Sequence, residues 1–131
     1  MKVLAPYLAT LAFFLAVDMV FLGVIAKDFY RSGIGHLMAD SFNIPAAIIF
    51  YAIYIAGVMI FVINPAVAAG QWTHAALYGA LFGFFAYATY DMTNLATLKD
   101  WPLSLALADM AWGATITAAA SVVGYLVASR F

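Results

Sequence analysis

The sequence predicts an all-α integral membrane protein, a bundle of four transmembrane helices that forms one domain over residues 1–131. Three observations lead to this fold class. Hydrophobic residues make up 68% of the chain and charged residues only 8%, whereas soluble domains carry about 25% charged residues. The mean hydropathy is +1.05. Apolar runs of about 20 residues, the length that crosses a bilayer, alternate with short segments that contain charges or prolines.

The first half of the chain contains two predicted spans, residues 4–26 and 44–64. The first span ends at Lys27. It is too long for a signal peptide and contains Asp18, so we expect it to be retained. The second span begins after the potential capping residue Asn43, with Pro45 in the first turn, where the missing N–H costs nothing. The connection over residues 27–42 is expected to hold a short interfacial helix.

The second half contains the other two predicted spans, residues 73–98 and 102–128. The third span ends before Lys99, and the fourth again has a proline, Pro102, in its first turn. Trp72 and Trp101 lie near span ends, which is typical of an interfacial aromatic belt. An even number of spans places both termini on one side of the membrane, and the connections after the first and third spans, with Lys27, Arg31 and Lys99, on the other. We call the latter the loop side.

Composition excludes several classes of function. The net charge is -1 and there is no basic run, so the chain lacks the electrostatic footprint of a nucleic-acid-binding protein. With no cysteine, disulfides, iron–sulfur clusters and thiol chemistry are excluded. The two histidines, His36 and His74, both fall near span ends, which argues against a haem held between helices. We therefore expect no cofactor.

Three aspartates stand out because each lies inside an apolar stretch. Asp18, Asp91 and Asp109 occupy the first, third and fourth predicted spans. A carboxylate at such depth costs a few kcal/mol or more, and intramembrane ionisable residues are by default candidates for a functional site. With a rise of about 1.5 Å per residue, all three lie about 10 to 13 Å from the loop-side ends of their spans. They are therefore expected to form one polar layer.

The two halves of the chain also resemble each other, which predicts a parallel two-plus-two internal repeat. In each half an Asp-Met pair, at Asp18 and at Asp91, is followed eight or nine residues later by Lys-Asp and an aromatic residue. Each half then opens its next span with a proline and reaches a glycine three turns later. A repeat of this kind has its pseudo-twofold axis along the membrane normal. Chance similarity between apolar helices is the alternative.

Polar and aromatic residues lie at helical spacing from these carboxyl groups. Tyr87 and Asn94 share a face with Asp91, Trp112 follows Asp109 by three residues, and Tyr51 has a similar depth. The predicted substrate- or ion-binding site consists of Asp18, Tyr51, Tyr87, Asp91, Asn94, Asp109 and Trp112.

Three close carboxylates require either protonation or a cation, and oxygen ligands favour Mg²⁺ or Ca²⁺. In the alternative, purely structural interpretation, each aspartate bonds a neighbouring side chain and fixes helix register. A separate pair of small residues, Gly79 and Gly83, predicts close helix packing, either within the bundle or across a dimer.

One segment of the sequence is distinctive enough to be compared with a known protein family. The run from Tyr90 to Pro102, with Asp18 and with Asp109 followed by Trp112 and Gly113, is similar to a family of small bacterial membrane proteins of unknown function, domain-of-unknown-function family two-one-seven-seven. The resemblance covers essentially the whole chain and implies a four-helix, multi-pass protein of the bacterial inner membrane. It implies no activity. The matching positions are Asp18, Tyr90, Asp91, Thr93, Asn94, Ala96, Thr97, Trp101, Pro102, Asp109, Trp112 and Gly113.

Three functions are compatible with these features. The leading hypothesis is a small transporter or permease of a solute or cation, coupled to protons or cations and working as a homodimer, because four helices enclose little volume alone. The second is an enzyme or binding protein for a lipid or isoprenoid. Against an enzyme, the polar layer has almost no cationic residue, and no DDxxD pair exists to hold a diphosphate through a metal. The third is an accessory subunit of a larger membrane complex.

Overall fold

Five helices, joined by short connections, make up the regular structure of the chain. The computed structural model covers residues Met1–Phe131 and contains no strand. A single 3₁₀ turn, Gly35–Leu37, follows the second helix. The helices are α1 (Leu4–Ile25), α2 (Lys27–Ile34), α3 (Ile44–Ala69), α4 (Trp72–Thr97) and α5 (Leu103–Ala128).

Three of these helices, α1, α3 and α5, are long and apolar enough to cross a membrane. They contain 22, 26 and 26 residues. The prediction of an all-helical chain with membrane-spanning helices is therefore confirmed. Helix α4 also has 26 residues, but its polar side chains make it less apolar than the others, and it is not among the three. The fourth span and the four-helix transmembrane bundle stay predictions.

Helix α3 is longer than the predicted span of residues 44–64. It begins as expected, with the Asn43 side chain accepting a hydrogen bond from the Ala46 N–H at 3.1 Å and a proline in the first turn. It then passes through Pro65 and ends only at Gly70, which has a left-handed φ of 68°. A π-helical stretch, Met59–Ile63, precedes the proline. A widened turn relieves the clash between a proline ring and the carbonyl of the preceding turn, so the helix continues.

Helix α2 is the short helix expected in the connection after the first span. It follows α1 after a single residue and is itself followed by an irregular segment up to Asn43. In the turn between α4 and α5, Asp100 has a left-handed φ of 62°, a conformation that aspartate tolerates better than most residues. Its carboxylate lies 3.6 Å from His36 Nε2. The two connections therefore meet on the loop side.

The packing is tightest between α4 and α5, where small residues face each other. A Cβ atom placed on Gly79 would lie 2.6 Å from Ser121 Oγ, and one placed on Gly83 would meet the Gly113 carbonyl oxygen. Both α4 glycines are buried. The small-residue pair predicted from the sequence thus packs inside this chain.

Helix α1 packs mainly on α5 and only slightly on α3. The α1–α3 pair therefore does not repeat the close α4–α5 hairpin, and the internal repeat stays a prediction. Away from the loop side, the helices enclose an apolar cluster that includes Phe14, Ile55, Ile63 and Ile116. This cluster fills the space between α1, α3 and α5 in the half of the bundle nearer the termini.

We predict that Gly83→Ala destabilises the protein. The added Cβ would lie 2.7 Å from Thr117 Cβ and press on the backbone of Gly113, which cannot move without separating the helices. Overpacking of this kind costs about 1–3 kcal/mol. The free energy of unfolding of the detergent-solubilised protein should fall by this amount. Gly23→Ala is the matched control, because a Cβ there meets nothing within 4 Å. Equal stability of the two variants would contradict the proposed tight contact.

Candidate functional site

The three aspartates are buried inside the helical bundle. Asp18 in α1 is 3% exposed, Asp91 in α4 is fully buried, and Asp109 in α5 is 7% exposed. A buried carboxyl group is costly unless it is hydrogen-bonded or paired. The hydrogen bonds around each of them therefore decide how it can be used.

Each carboxyl oxygen of Asp18 accepts a hydrogen bond. The Tyr51 hydroxyl of α3 donates to Oδ2 at 2.7 Å, and Trp112 Nε1 of α5 donates to Oδ1 at 3.0 Å. The Trp112 ring is itself held by Phe21, which stacks on it with ring centroids 3.8 Å apart and an interplanar angle of 11°. One carboxyl group thereby joins three helices.

Asp109 receives a single hydrogen bond, and it comes from outside the long helices. The Tyr30 hydroxyl of α2 donates to Asp109 Oδ1 at 2.6 Å. Burial raises the pKa of the Tyr30 hydroxyl far above its ordinary value, and the hydrogen bond to Asp109 and the charges of the nearby carboxyl groups act in the same direction. Tyr30 therefore keeps its proton and remains a donor to Asp109.

Asp91 has no donor at all. Neither of its carboxyl oxygens has a hydrogen-bond partner among N–H and hydroxyl groups. The charged neighbour that acts on it is Asp109, whose carboxyl group is within side-chain hydrogen-bonding reach. Two carboxylates cannot hydrogen-bond to each other, so this contact becomes favourable only when one of the pair carries a proton. Asp91 and Asp109 are therefore suited to share one proton.

Tyr87 lies between the two polar groups. Its ring packs directly on Gly113, where no side chain would fit. Its hydroxyl is close enough to Asp18 and Asp109 for their charges to act on it. Unlike the hydroxyls of Tyr30 and Tyr51, it makes no hydrogen bond to another side chain. It faces the cavity described next.

A cavity of about 900 Å³ opens beside these groups on the loop side. Asp18 and Asp109 both line it, whereas Asp91 does not. Fifteen of the twenty lining residues are hydrophobic. Two cationic side chains, Lys27 and Arg31 of α2, also line the cavity. The result is a largely apolar chamber with two carboxyl groups inside and two basic groups on α2, next to the loops.

This arrangement does not suit a bound metal ion. No group of three or more aspartate, glutamate, histidine or cysteine side chains converges to hold one. Mg²⁺ and Ca²⁺ need several oxygen ligands, and Mg²⁺ loses its water shell reluctantly. The predicted alternative in which the three aspartates together ligate a hard cation therefore lacks a ligand set. The carboxyl groups themselves can exchange protons or bind a cationic group.

Comparison with known proteins assigns the chain to a family. Residues 3–126 match the family described as "Predicted membrane protein (DUF2177)". The chain belongs to this family. The match covers nearly the whole chain and confirms the resemblance seen in the sequence. No curated protein and no solved structure matches the chain significantly.

Within this DUF2177 chain, six of the seven predicted site residues lie together. Asp18, Tyr51 and Trp112 form one hydrogen-bonded group, Asp91 and Asp109 form a second, and Tyr87 lies between them. Asn94 is different. It follows Asp91 by three residues on α4 but makes no side-chain hydrogen bond to it, and it does not line the cavity.

The sequence reasoning missed Tyr30, Lys27 and Arg31, which all come from α2. With Ile34 they occupy positions i, i+3, i+4 and i+7 of a helix, and all four line the cavity. This spacing identifies one helix face. It was readable in the sequence once residues 27–34 were taken to be helical, but nothing in the sequence indicated where that face would pack.

We predict that Tyr51→Phe weakens the fold by removing one of the two donors to Asp18. A buried acceptor that loses its partner costs about 1–3 kcal/mol. The free energy of unfolding in detergent should fall by this amount. Tyr78→Phe should have little effect, because Tyr78 is 45% exposed and its hydroxyl makes no hydrogen bond. An equal loss in both variants would show that the Tyr51 hydroxyl does not stabilise Asp18.

We also predict that Tyr30→Phe loosens α2 without unfolding the bundle. An eight-residue helix is unstable on its own, so α2 depends on its contacts with the bundle. Hydrogen–deuterium exchange of the backbone amides of residues 27–34 should become faster, and exchange in α5 should not change. Tyr125→Phe is the control, since its hydroxyl makes no hydrogen bond. Unchanged exchange in α2 would mean that the Tyr30–Asp109 hydrogen bond does not hold this helix.

Proposed function

We propose that the protein is a permease that carries a small cationic solute across the bacterial inner membrane in exchange for protons. One observation carries this proposal. Asp18 and Asp109 line the same largely apolar cavity of about 900 Å³, and Asp91, the carboxyl neighbour of Asp109, is buried with no donor of its own. Carboxyl groups in this setting bind either a proton or a cation.

The competition between proton and solute is the coupling step of the proposal. A cation next to Asp109 stabilises its ionised form, and a proton shared by Asp91 and Asp109 is then released. When the cation leaves, the pair takes up a proton again. Asp18, with donors from Tyr51 and Trp112, holds its position during the exchange. The solute and the proton thus use the same carboxyl groups in turn.

The proposal includes four transmembrane helices and a multi-pass topology. Helix α4 has the same length as α3 and α5, and its glycine face packs along α5. Such a partner cannot leave the bundle without exposing Asp91 and Asp109. The proposal also includes a homodimer, since a bundle of four helices encloses little volume alone. Large apolar side chains exposed on α3 and α4, among them Ile53 and Phe85, are available for lipid or for a second copy.

A second candidate function is the binding of a lipid or isoprenoid with a phosphate head group. It is favoured by Lys27 and Arg31, which line the cavity at the loop side and are one helical turn apart. The apolar walls would then hold the chain of the lipid. In this case an anionic lipid would co-purify with the protein and would be lost when both basic residues are replaced by glutamine.

We predict that Asp109→Asn and Asp91→Asn abolish proton-coupled flux. The purified protein is reconstituted into vesicles containing a pH-sensitive dye, and a panel of small amines and quaternary ammonium ions is added in a pH gradient. Wild-type protein should release protons when a transported cation is added, and each variant should lose at least about 90% of the signal, because an amide neither ionises nor exchanges a proton.

Asp28→Asn is the matched control, since this carboxylate is exposed on α2 and lies outside the cavity. It should retain the wild-type signal. Undiminished flux in Asp109→Asn would overturn the permease proposal. A stable complex with an unrelated membrane protein, together with no flux from the isolated chain, would instead support an accessory role.

A further inference from the structure

We infer that the cavity takes a lipophilic organic cation, which enters from the bilayer through the cleft between α1 and α3. This inference rests on the proposed function for the identity of the site and adds the class of ligand and its route. It depends on the chemistry of the cavity walls, on the absence of a fixed counter-charge and on the position of the opening.

The walls of the cavity are aromatic. Besides Phe42, six aromatic side chains line it: Tyr30, Phe50, Tyr51, Tyr87, Tyr90 and Trp101. Four of the six are tyrosines and carry hydroxyl groups. Cations are attracted to the faces of aromatic rings, and cages of such rings recognise quaternary ammonium groups. Trp101, 8% exposed, packs edge-to-face on Tyr90, and its indole N–H has no acceptor within the protein.

The carboxyl groups have no fixed counter-charge. Neither Asp18 nor Asp109 lies within 4.0 Å of a lysine or arginine nitrogen, and the single ion pair of the chain is His36 with Asp100 at the surface. Lys27 and Arg31 line the same cavity but form no ion pair with these carboxyl groups, so a bound cation would be their first direct ionic partner. Because the walls are mostly apolar, they cannot replace the water shell of a small inorganic ion. A large cation with dispersed charge loses little hydration and suits such walls.

Exposed side chains of both α1 and α3 line the cavity, and from these we infer an opening between the two helices. Met19 of α1 and Ile44 and Phe50 of α3 line it, and these side chains are 55%, 57% and 51% exposed. Gly23 on the α1 side adds no side chain to the edge. Met19 and Phe50 belong to helices that are long and apolar enough to cross a membrane, so in the proposed topology this side of the cavity faces the hydrocarbon region. Lys27 and Arg31 stand at the loop side, where they would repel a cation arriving from water.

The size of the cavity agrees with this class of ligand. Sites for small molecules usually measure about 300–1,000 Å³, and this cavity measures about 900 Å³. It has room for a cation with several aromatic or alkyl substituents. A metal ion or a single ammonium ion would leave most of it unfilled.

The test compares two probes of the same shape and opposite charge. Tetraphenylphosphonium and tetraphenylborate are titrated separately against the purified protein in detergent, with quenching of tryptophan fluorescence as the readout. The structure predicts that the phosphonium binds at least about tenfold more tightly than the borate. Equal binding of both probes, or tighter binding of the borate, would overturn the inference and would favour an anionic amphiphile.

Two variants, each with a control variant, show where the phosphonium binds. Asp109→Asn should weaken phosphonium binding at least about tenfold, and the exposed Asp28→Asn should not change it. Phe50→Ala removes an aromatic wall at the edge of the cavity, where folding should tolerate the change, and should weaken binding several-fold. Its control is Phe85→Ala, which removes an exposed ring outside the cavity. Binding that is equally weak in Phe50→Ala and Phe85→Ala would contradict the proposed wall.

The route is tested by narrowing the cleft. Ala47 lines the cavity on α3, whereas Ala68 is exposed near the far end of the same helix. With the phosphonium preloaded into lipid vesicles that contain the protein, Ala47→Phe should slow the onset of quenching at least several-fold, and Ala68→Phe should leave it unchanged. An unchanged onset in Ala47→Phe would exclude the lateral route.

The experiments distinguish a failure of this inference from a failure of the permease proposal. Selective phosphonium binding without proton-coupled flux would leave this inference standing and overturn the permease proposal. Proton-coupled flux of a small hydrophilic amine, without phosphonium binding, would leave the permease standing and overturn this inference.

Discussion

The close approach of α4 and α5 determines the rest of the structure. At Gly79, Gly83 and Gly113 the two helices touch backbone to side chain or backbone to backbone, with no room for a methyl group. This contact fixes the register of the hairpin, and the register places Asp91 of α4 beside Asp109 of α5. The same contact seats the Tyr87 ring on Gly113. A more distant pair of helices would leave each carboxyl group alone in an apolar environment, where it is hardest to accommodate.

The three aspartates differ in the number of hydrogen-bond donors around them, and this gives each carboxyl group a different chemistry. Asp18 has two donors, Asp109 has one and Asp91 has none. A carboxyl group with two donors is well satisfied in its ionised form, whereas one without donors depends on a proton or on a neighbour. In the proposed function, two roles that the sequence left as alternatives are combined. Asp18 joins three helices through its hydrogen bonds, and the Asp91–Asp109 pair is proposed to exchange protons with the cavity.

The sequence was sufficient to predict the helices, the burial of polar residues among them and most of the candidate site. Charges and prolines marked the ends of the spans. Helical spacing related Tyr87 and Trp112 to the aspartates, and a similar depth related Tyr51 to them. The far end of α3 was not predictable in this way, because a π-helical stretch lets the helix pass Pro65. Nor was the role of Tyr30, since α2 reaches Asp109 only through the tertiary fold. Asn94 shows the converse, since it has the right spacing but makes no hydrogen bond to Asp91 and does not line the cavity.

The loose contact between α1 and α3 has a mechanical consequence. The far half of α3 is embedded in the apolar cluster through Ile55 and Ile63, whereas its loop-side half is joined to α1 by two hydrogen bonds, Tyr51 to Asp18 and Tyr7 to the Ala52 carbonyl. Helix α3 is thus held by close packing in its far half and by fewer contacts with α1 in its loop-side half. Apart from ring contacts of Tyr51 and Tyr54 with Phe14, these two hydrogen bonds hold the two helices together here, and one of them ends on a carboxyl group. Replacement of Asp18 would change how far the loop-side halves of α1 and α3 can separate, while the packing of the far half of α3 would stay unchanged.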